Sequence, residues 1–235
     1  MSTNHTVYYE LRDALAGEGC AICGLALRGL RRYMEGLAYE AVNNIAIRAE
    51  LRAARGFCAP HGLMLREVRS ALGTAIIHRD IVGAAMGALE SSGGGSGGGL
   101  LGRLMGGQPR GGGALAPQAG CPACAQRRKT EEVYLGTLAA RIADAELRQS
   151  FDASAGLCLP HLRAALGRCG PAAFGQLKAA QLGVWGRLAG ELDEFIRKCD
   201  HQFAHEEIGA EATSWSRASL LISGHPLLGL AHDEV

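Results

Sequence analysis

The sequence is short of aromatic residues, of net charge and of long apolar runs. Phe, Trp and Tyr make up 5% of the 235 residues, and 24 Lys and Arg face 23 Asp and Glu, which leaves a net charge of +1. Scarce aromatic and β-branched residues argue against a β-sandwich or barrel, and the balanced charge argues against nucleic-acid binding. Charged residues interrupt every apolar stretch before it reaches the roughly 20 residues of a membrane span.

Residues 1–10 lack the basic stretch and apolar run that are typical of an export signal. We therefore expect a cytoplasmic protein, whose thiols stay reduced. The chain nevertheless contains eight cysteines. Six of them occur in a regular pattern with histidine, which in a reducing compartment indicates metal ligation rather than disulfide formation.

This pattern consists of a Cys-x-x-Cys motif followed by a Gly-x-Cys-x-Pro-His motif, and it occurs twice. The motifs span 20–23 and 56–61 in the first half, and 121–124 and 156–161 in the second. The offset is 101 residues for the first motif and 100 for the second, so a single deletion relates the copies. This agreement indicates an internal duplication.

Apolar residues recur at helical spacing in both copies, for example at Leu27, Leu30 and Met34. We therefore predict an all-α fold, a helical bundle built from two duplicated CxxC…CxxH helical units joined by a Gly-rich tether. Residues 91–120 contain 13 glycines and cannot bury enough apolar surface to fold by themselves. The predicted domains are a first metal-binding repeat at 1–90, a flexible linker at 91–120, and a second repeat with a C-terminal extension at 121–235.

Helix lengths predict how the ligands are grouped. A helix over 24–41 would lead about 27 Å away from the first CxxC, and a helix over 45–55 would return about 16 Å. Three extended residues before Cys58 would recover another ~10 Å. Signals for a break between the helices are present at Asn43-Asn44 and, in the second copy, at Asp144. The prediction is one site within each repeat, formed by Cys20, Cys23, Cys58 and His61 and by Cys121, Cys124, Cys158 and His161. An unbroken helix would instead require ligands to be shared between the repeats.

Three thiolates and one imidazole form a closed tetrahedral zinc site, which is usually structural. The expected cofactor is therefore zinc, two ions per chain. An iron–sulfur cluster with the same ligands is the main alternative, and a redox-active CxxC pair is a weaker one. Cys169 and Cys199 have no counterpart in the first copy and are interpreted as buried helical residues that act as small apolar side chains.

The C-terminal region 198–215 is rich in polar residues. It is interpreted as a helix end with locally paired charges, with a ligand pocket as the alternative. The repeated motifs, together with a Lys-x-Asp…Glu…Ser-Trp tail, resemble the prokaryotic family known as domain of unknown function 6062. The resemblance implies a cytoplasmic helical protein without an assigned activity, and it implies five candidate ligand-binding residues: Lys198, Asp200, Glu207, Glu211 and Trp215. His201 stands where the family has an aromatic residue.

The expected function is that of a non-enzymatic, zinc-stabilised helical protein that binds a protein or small-molecule partner. The Gly-rich stretch is not followed by the Gly-Lys-Ser/Thr of a phosphate-binding loop, and no nucleophile–base pair is evident. The alternative is a redox or metal sensor, or an oxidoreductase component, with iron–sulfur clusters or labile metal at the same residues. An enzyme that uses the region from Lys198 to Glu211 is a third option.

Overall fold

A computed structural model describes residues 3–92, 110–203 and 205–230, and these residues form helices without any strand. The all-α prediction is therefore confirmed. The helices are α1 Thr3–Leu15, α2 Ala21–Tyr39, α3 Ile45–Ala53, α4 Ala59–Glu67, α5 Ala71–Ser92, α6 Arg110–Gly113, α7 Pro122–Arg141, α8 Ala145–Ala153, α9 Leu159–Leu166, α10 Pro171–Lys198 and α11 Ser214–Ser223. Short 3₁₀ turns cover His201–Phe203, Ala210–Thr213 and Pro226–Leu228.

The helix starts follow from local sequence. The Asn44 side chain caps α3 by accepting hydrogen bonds from the backbone N–H groups of Ala46 and Ile47, at 3.0 and 3.1 Å. Helices α4 and α9 each carry a proline in the first turn, where the missing N–H costs no hydrogen bond. The predicted breaks at Asn43-Asn44 and Asp144 therefore lie between helices, as expected.

The chain divides into two compact units, which differ from the repeats. The first unit consists of Met1–Gly29 and Arg127–Val235, and the second of Leu30–Gln126. The unit boundaries thus fall inside α2 and α7 rather than in the predicted linker. The repeat boundaries at 1–90 and 121–235 remain a prediction from the sequence.

The core of the first unit consists of aliphatic side chains and one aromatic residue, Phe151. Helix α8 packs against α1 and α10, and α10 packs against α11. The side chains at the centre are at most 2% exposed: Leu11, Leu15, Ile22, Leu138, Ile142, Leu147, Phe151 and Leu177. Burial of each such side chain stabilises the fold by about 1.5–3 kcal/mol.

The second unit has a smaller core, which includes Leu30, Met34, Leu51, Leu65 and Ile77. Helices α3 and α5 pack together and are joined by Asp80, which pairs with Arg48 at 3.0 Å and with Arg52 at 2.7 Å. Hydrogen bonds from these two guanidinium groups lower the pKa of Asp80.

Part of the predicted linker, residues 93–109, lies outside the described residues. The described end of the linker contacts the end of α3. The backbone N–H of Gln118 donates to the carbonyl of Ala53 at 2.8 Å, and Arg55 donates to the carbonyl of Ala114 at 2.7 Å.

Candidate metal centres

All ligand motifs lie at helix starts. Cys20 and Cys121 directly precede α2 and α7, and Cys23 and Cys124 follow within the first turn. Cys58 and Cys158 are the N-cap residues of α4 and α9, with an extended backbone, and a histidine follows each in the first turn. Helix N-termini present free N–H groups and a partial positive charge, which favour the thiolate form.

The cysteines and histidines of the motifs form two clusters, each of which could hold a metal ion. The first centre is Cys20, Cys23, Cys158 and His161, and the second centre is Cys58, His61, Cys121 and Cys124. Each centre lies within one compact unit. The predicted grouping within each repeat is therefore wrong, because each centre takes its CxxC from one repeat and its CxxH from the other.

The backbone after α3 differs from the one that the predicted grouping assumed. The helix lengths were close, but the distance estimate also needed an extended chain from α3 to Cys58. Arg55 and Gly56 instead adopt left-handed backbone angles, with φ of 55° and 97°, and the Gly56 N–H donates back to the Leu51 carbonyl at 2.8 Å. The chain thus turns at the end of α3. In the second copy Ser154 has an extended backbone, yet Cys158 also joins the CxxC of the other repeat, so the turn alone does not determine the grouping.

In the first centre the donors surround a common point. The His161 Nδ1 lies 3.1 Å from the Cys158 sulfur, 3.4 Å from Cys23 and 3.5 Å from Cys20, and the Cys23 and Cys158 sulfurs are 3.7 Å apart. A tetrahedron with zinc–ligand distances near 2.3 Å for sulfur and 2.05 Å for nitrogen has edges of about 3.8 Å (S–S) and 3.6 Å (S–N). The donors therefore fit a single ion, and the sulfurs are too far apart for a disulfide of about 2.05 Å.

Groups behind the ligands complete the first centre. The His161 Nε2 lies 3.1 Å from the Glu131 Oε1, so the ring donates there and presents Nδ1 to the sulfurs. Arg127, which is fully buried, approaches the same carboxylate oxygen at 3.4 Å. Burial alone would lower the pKa of His161, but hydrogen bonds with Cys158, Cys20 and Glu131 outweigh it and raise that pKa to about 12.

The second centre has the same donor geometry. The His61 Nδ1 lies 3.1 Å from the Cys58 sulfur, 3.4 Å from Cys124 and 3.5 Å from Cys121. The Cys58 and Cys124 sulfurs are 3.6 Å apart. All three cysteines are half-buried, and the buried His61 Nε2 has no hydrogen-bond partner among the described residues.

The thiols of each CxxC differ in acidity. Hydrogen bonds from Cys158, Cys23 and His161 outweigh burial and hold the pKa of Cys20 well below its usual value. A hydrogen bond from Cys124 lowers the pKa of Cys121 to about 3, despite partial burial. The same hydrogen bond, together with burial, raises the pKa of the partner thiol, Cys124. Because a bound ion replaces these protons, metal affinity is expected to fall as the pH falls.

The chain matches a family of unknown function (DUF6062) over residues 5–226. It belongs to that family. No curated protein and no solved structure matches the DUF6062 chain. Among its described helices, none combines the length and the apolar character that crossing a bilayer requires.

The tail residues of this DUF6062 chain form local contacts. The Lys198 ammonium lies 2.8 Å from the Glu211 carboxylate and donates to the Glu207 carbonyl at 2.8 Å. Asp200 accepts from the backbone N–H of Gln202 at 3.0 Å. Trp215 on α11 is 59% exposed. The structure thus brings Lys198 and Glu211 together, and ligand binding by the five tail residues remains a prediction.

Sequence reasoning missed Arg127 and Glu131. A signal was available, because both fall on the i, i+4 stripe of α7 that also carries the buried Ala123 and Leu135. Charged residues on an apolar stripe indicate a buried polar contact.

Proposed function

We propose that each centre holds one structural zinc ion and that the protein is a non-enzymatic interaction module. The observation that carries the proposal is that the four donor atoms of each centre lie within 4.8 Å of one another. A single ion that is bound by all four donors has no open position for water or substrate. Such an ion contributes its binding free energy to folding.

The donor geometry favours zinc over an iron–sulfur cluster. A cluster distributes its protein ligands over several iron ions, whereas the donor separations of 3.1–3.7 Å here are no longer than the edges of one tetrahedron. A reducing cytoplasm is part of the proposal, because the ligands must remain thiolates.

Metal analysis of the purified protein tests the zinc assignment. The expected result is a colourless protein with two zinc ions per chain. A brown protein that contains iron and acid-labile sulfide would overturn the assignment and favour an electron-transfer or sensor function.

An apolar face of α5 supports the binding role. Val82, Met86 and Leu89 are 55%, 56% and 48% exposed, and their i, i+4, i+7 spacing places them on one side of the helix. An exposed apolar stripe of this kind is typical of a protein-binding surface.

Photo-crosslinking in the native host tests the binding role. A photoreactive residue at Met86 is expected to form one defined adduct with a partner protein. Ser91 is the matched control, because it is exposed and lies about 180° around the helix from Val82. Equal labelling from both positions, or no adduct from Met86, would contradict the binding role.

A further inference from the structure

The two centres have the same donors but different surroundings. We propose that the second centre is an exchangeable zinc site, which releases its ion before the first centre does, and that Glu131 is a positioning residue that retains the ion of the first centre. This proposal rests on the proposed function, since both centres must bind zinc.

Glu131 fixes the histidine ligand of the first centre. Its Oε1 lies 3.1 Å from the His161 Nε2, and Arg127 approaches the same oxygen at 3.4 Å. A carboxylate behind a metal-bound histidine orients the ring and makes it a stronger ligand. The Arg127 guanidinium offsets the charge that Glu131 adds beside three thiolates.

His61 lacks this support. It is fully buried, and its Nε2 meets no acceptor in the part of the chain that the structure describes. When Nδ1 binds an ion, Nε2 must carry a hydrogen, and a buried donor without an acceptor is unfavourable. Metal binding by His61 is therefore weaker than by His161.

The exposure of the cysteines also favours earlier release from the second centre. Cys20, Cys23 and Cys158 are at most 7% exposed, whereas the three cysteines of the second centre are half-buried. A chelator reaches an ion more easily when the thiolates around it are partly exposed, so partial exposure favours faster exchange. Weaker retention and easier access both predict earlier release from the second centre.

Zinc release to a chelator tests the order. The full chain is loaded with two zinc ions and mixed with excess chelator, and freed thiols are labelled with isotope-coded maleimide and located by peptide mass spectrometry. Two release phases are expected, separated by at least about tenfold in rate. The fast phase should coincide with labelling of Cys58, Cys121 and Cys124, and the exposed Cys199 serves as a labelling reference.

Glu131→Gln tests the positioning role. The substitution is expected to accelerate the slow phase by about 10–100-fold and to leave the fast phase unchanged. Glu132→Gln is the matched control, because Glu132 is the exposed neighbour on the same helix.

The failures are distinguishable. A chain that binds no zinc would overturn the proposed function itself. A chain that binds two ions but releases them at one rate, or frees Cys20, Cys23 and Cys158 first, would overturn this inference alone. The order of zinc release is measured in the unsubstituted chain, so the inference can be tested whether or not the Glu131 variant folds.

Discussion

The two candidate metal centres have matching donors, yet among the described residues only the first has a charged group behind its histidine. Glu131 supports His161, whereas the residue 101 positions earlier is Leu30, which has no acceptor atom. The Cys and His motifs therefore supply the donor atoms, and helix positions outside the motifs supply the groups that contact the histidine.

The largest expected effect is loss of the ion in the buried centre. Cys158→Ser should remove one zinc ion per chain and lower the melting temperature by on the order of 10 °C, because its thiol is fully buried among the other ligands. Cys58→Ser should also remove one ion, with a smaller shift. Calorimetry with zinc analysis measures both.

Cys199→Ser is the control for this pair, since Cys199 lies outside both centres and is exposed. The prediction that Cys199 is buried is therefore wrong. Equal shifts for Cys158→Ser and Cys58→Ser would show that the difference in burial has no energetic consequence.

Gly156 and Gly56 occupy equivalent positions in the two repeats, and we expect substitution by alanine to differ in its effect on stability. Gly156 has φ of +71°, and a Cβ there would lie 2.8 Å from the Gln181 side chain, which itself bonds the backbone of Leu157 at 2.9 and 3.1 Å. Gly56 has φ of +97°, and a Cβ there would lie 3.5 Å from Ile81. Gly156→Ala should therefore cost about 2–4 kcal/mol, and Gly56→Ala about 1 kcal/mol.

Chemical denaturation of the two alanine variants measures these costs. If they are equal, then Gln181 yields to the new methyl group, and the tighter packing at Gly156 does not contribute to stability.

The smallest expected effect concerns the tail of the first unit. A hydrogen bond from Lys198 lowers the pKa of Glu211 to about 2, so this carboxylate stabilises the fold above its ordinary pKa near 4.3 and loses that effect as the pH falls towards 2. Glu211→Gln should lower the melting temperature at pH 7 and bring it closer to the unsubstituted value at pH 3.

Glu207→Gln is the control, since the Glu207 side chain is exposed. A difference between the Glu211 variant and the unsubstituted chain that stays constant from pH 7 to pH 3 would contradict the pairing with Lys198.

The sequence was sufficient to predict the residues that form the two clusters and the helix breaks at Asn43-Asn44 and Asp144, because these depend on local signals. Asn44 caps α3, and a proline opens both α4 and α9. The grouping of the ligands was not predictable from helix lengths alone. Each cluster gathers residues that are far apart in the chain, such as Cys20 and His161, so the grouping depends on tertiary packing that local signals do not specify.

The support behind the first centre was missed for a different reason. Arg127 and Glu131 form an i, i+4 pair, and such pairs usually lie on the solvated face of a helix. Their position on the stripe of Ala123 and Leu135 was the one local sign that this pair is buried.

Zinc analysis of two double variants tests the central claim, that each centre combines the CxxC of one repeat with the CxxH of the other. Cys23→Ser with Cys158→Ser disrupts one centre and should leave about one zinc ion per chain, whereas Cys23→Ser with Cys58→Ser disrupts both and should leave none. Retention of one ion by the second variant and none by the first would contradict the account and restore the grouping within each repeat.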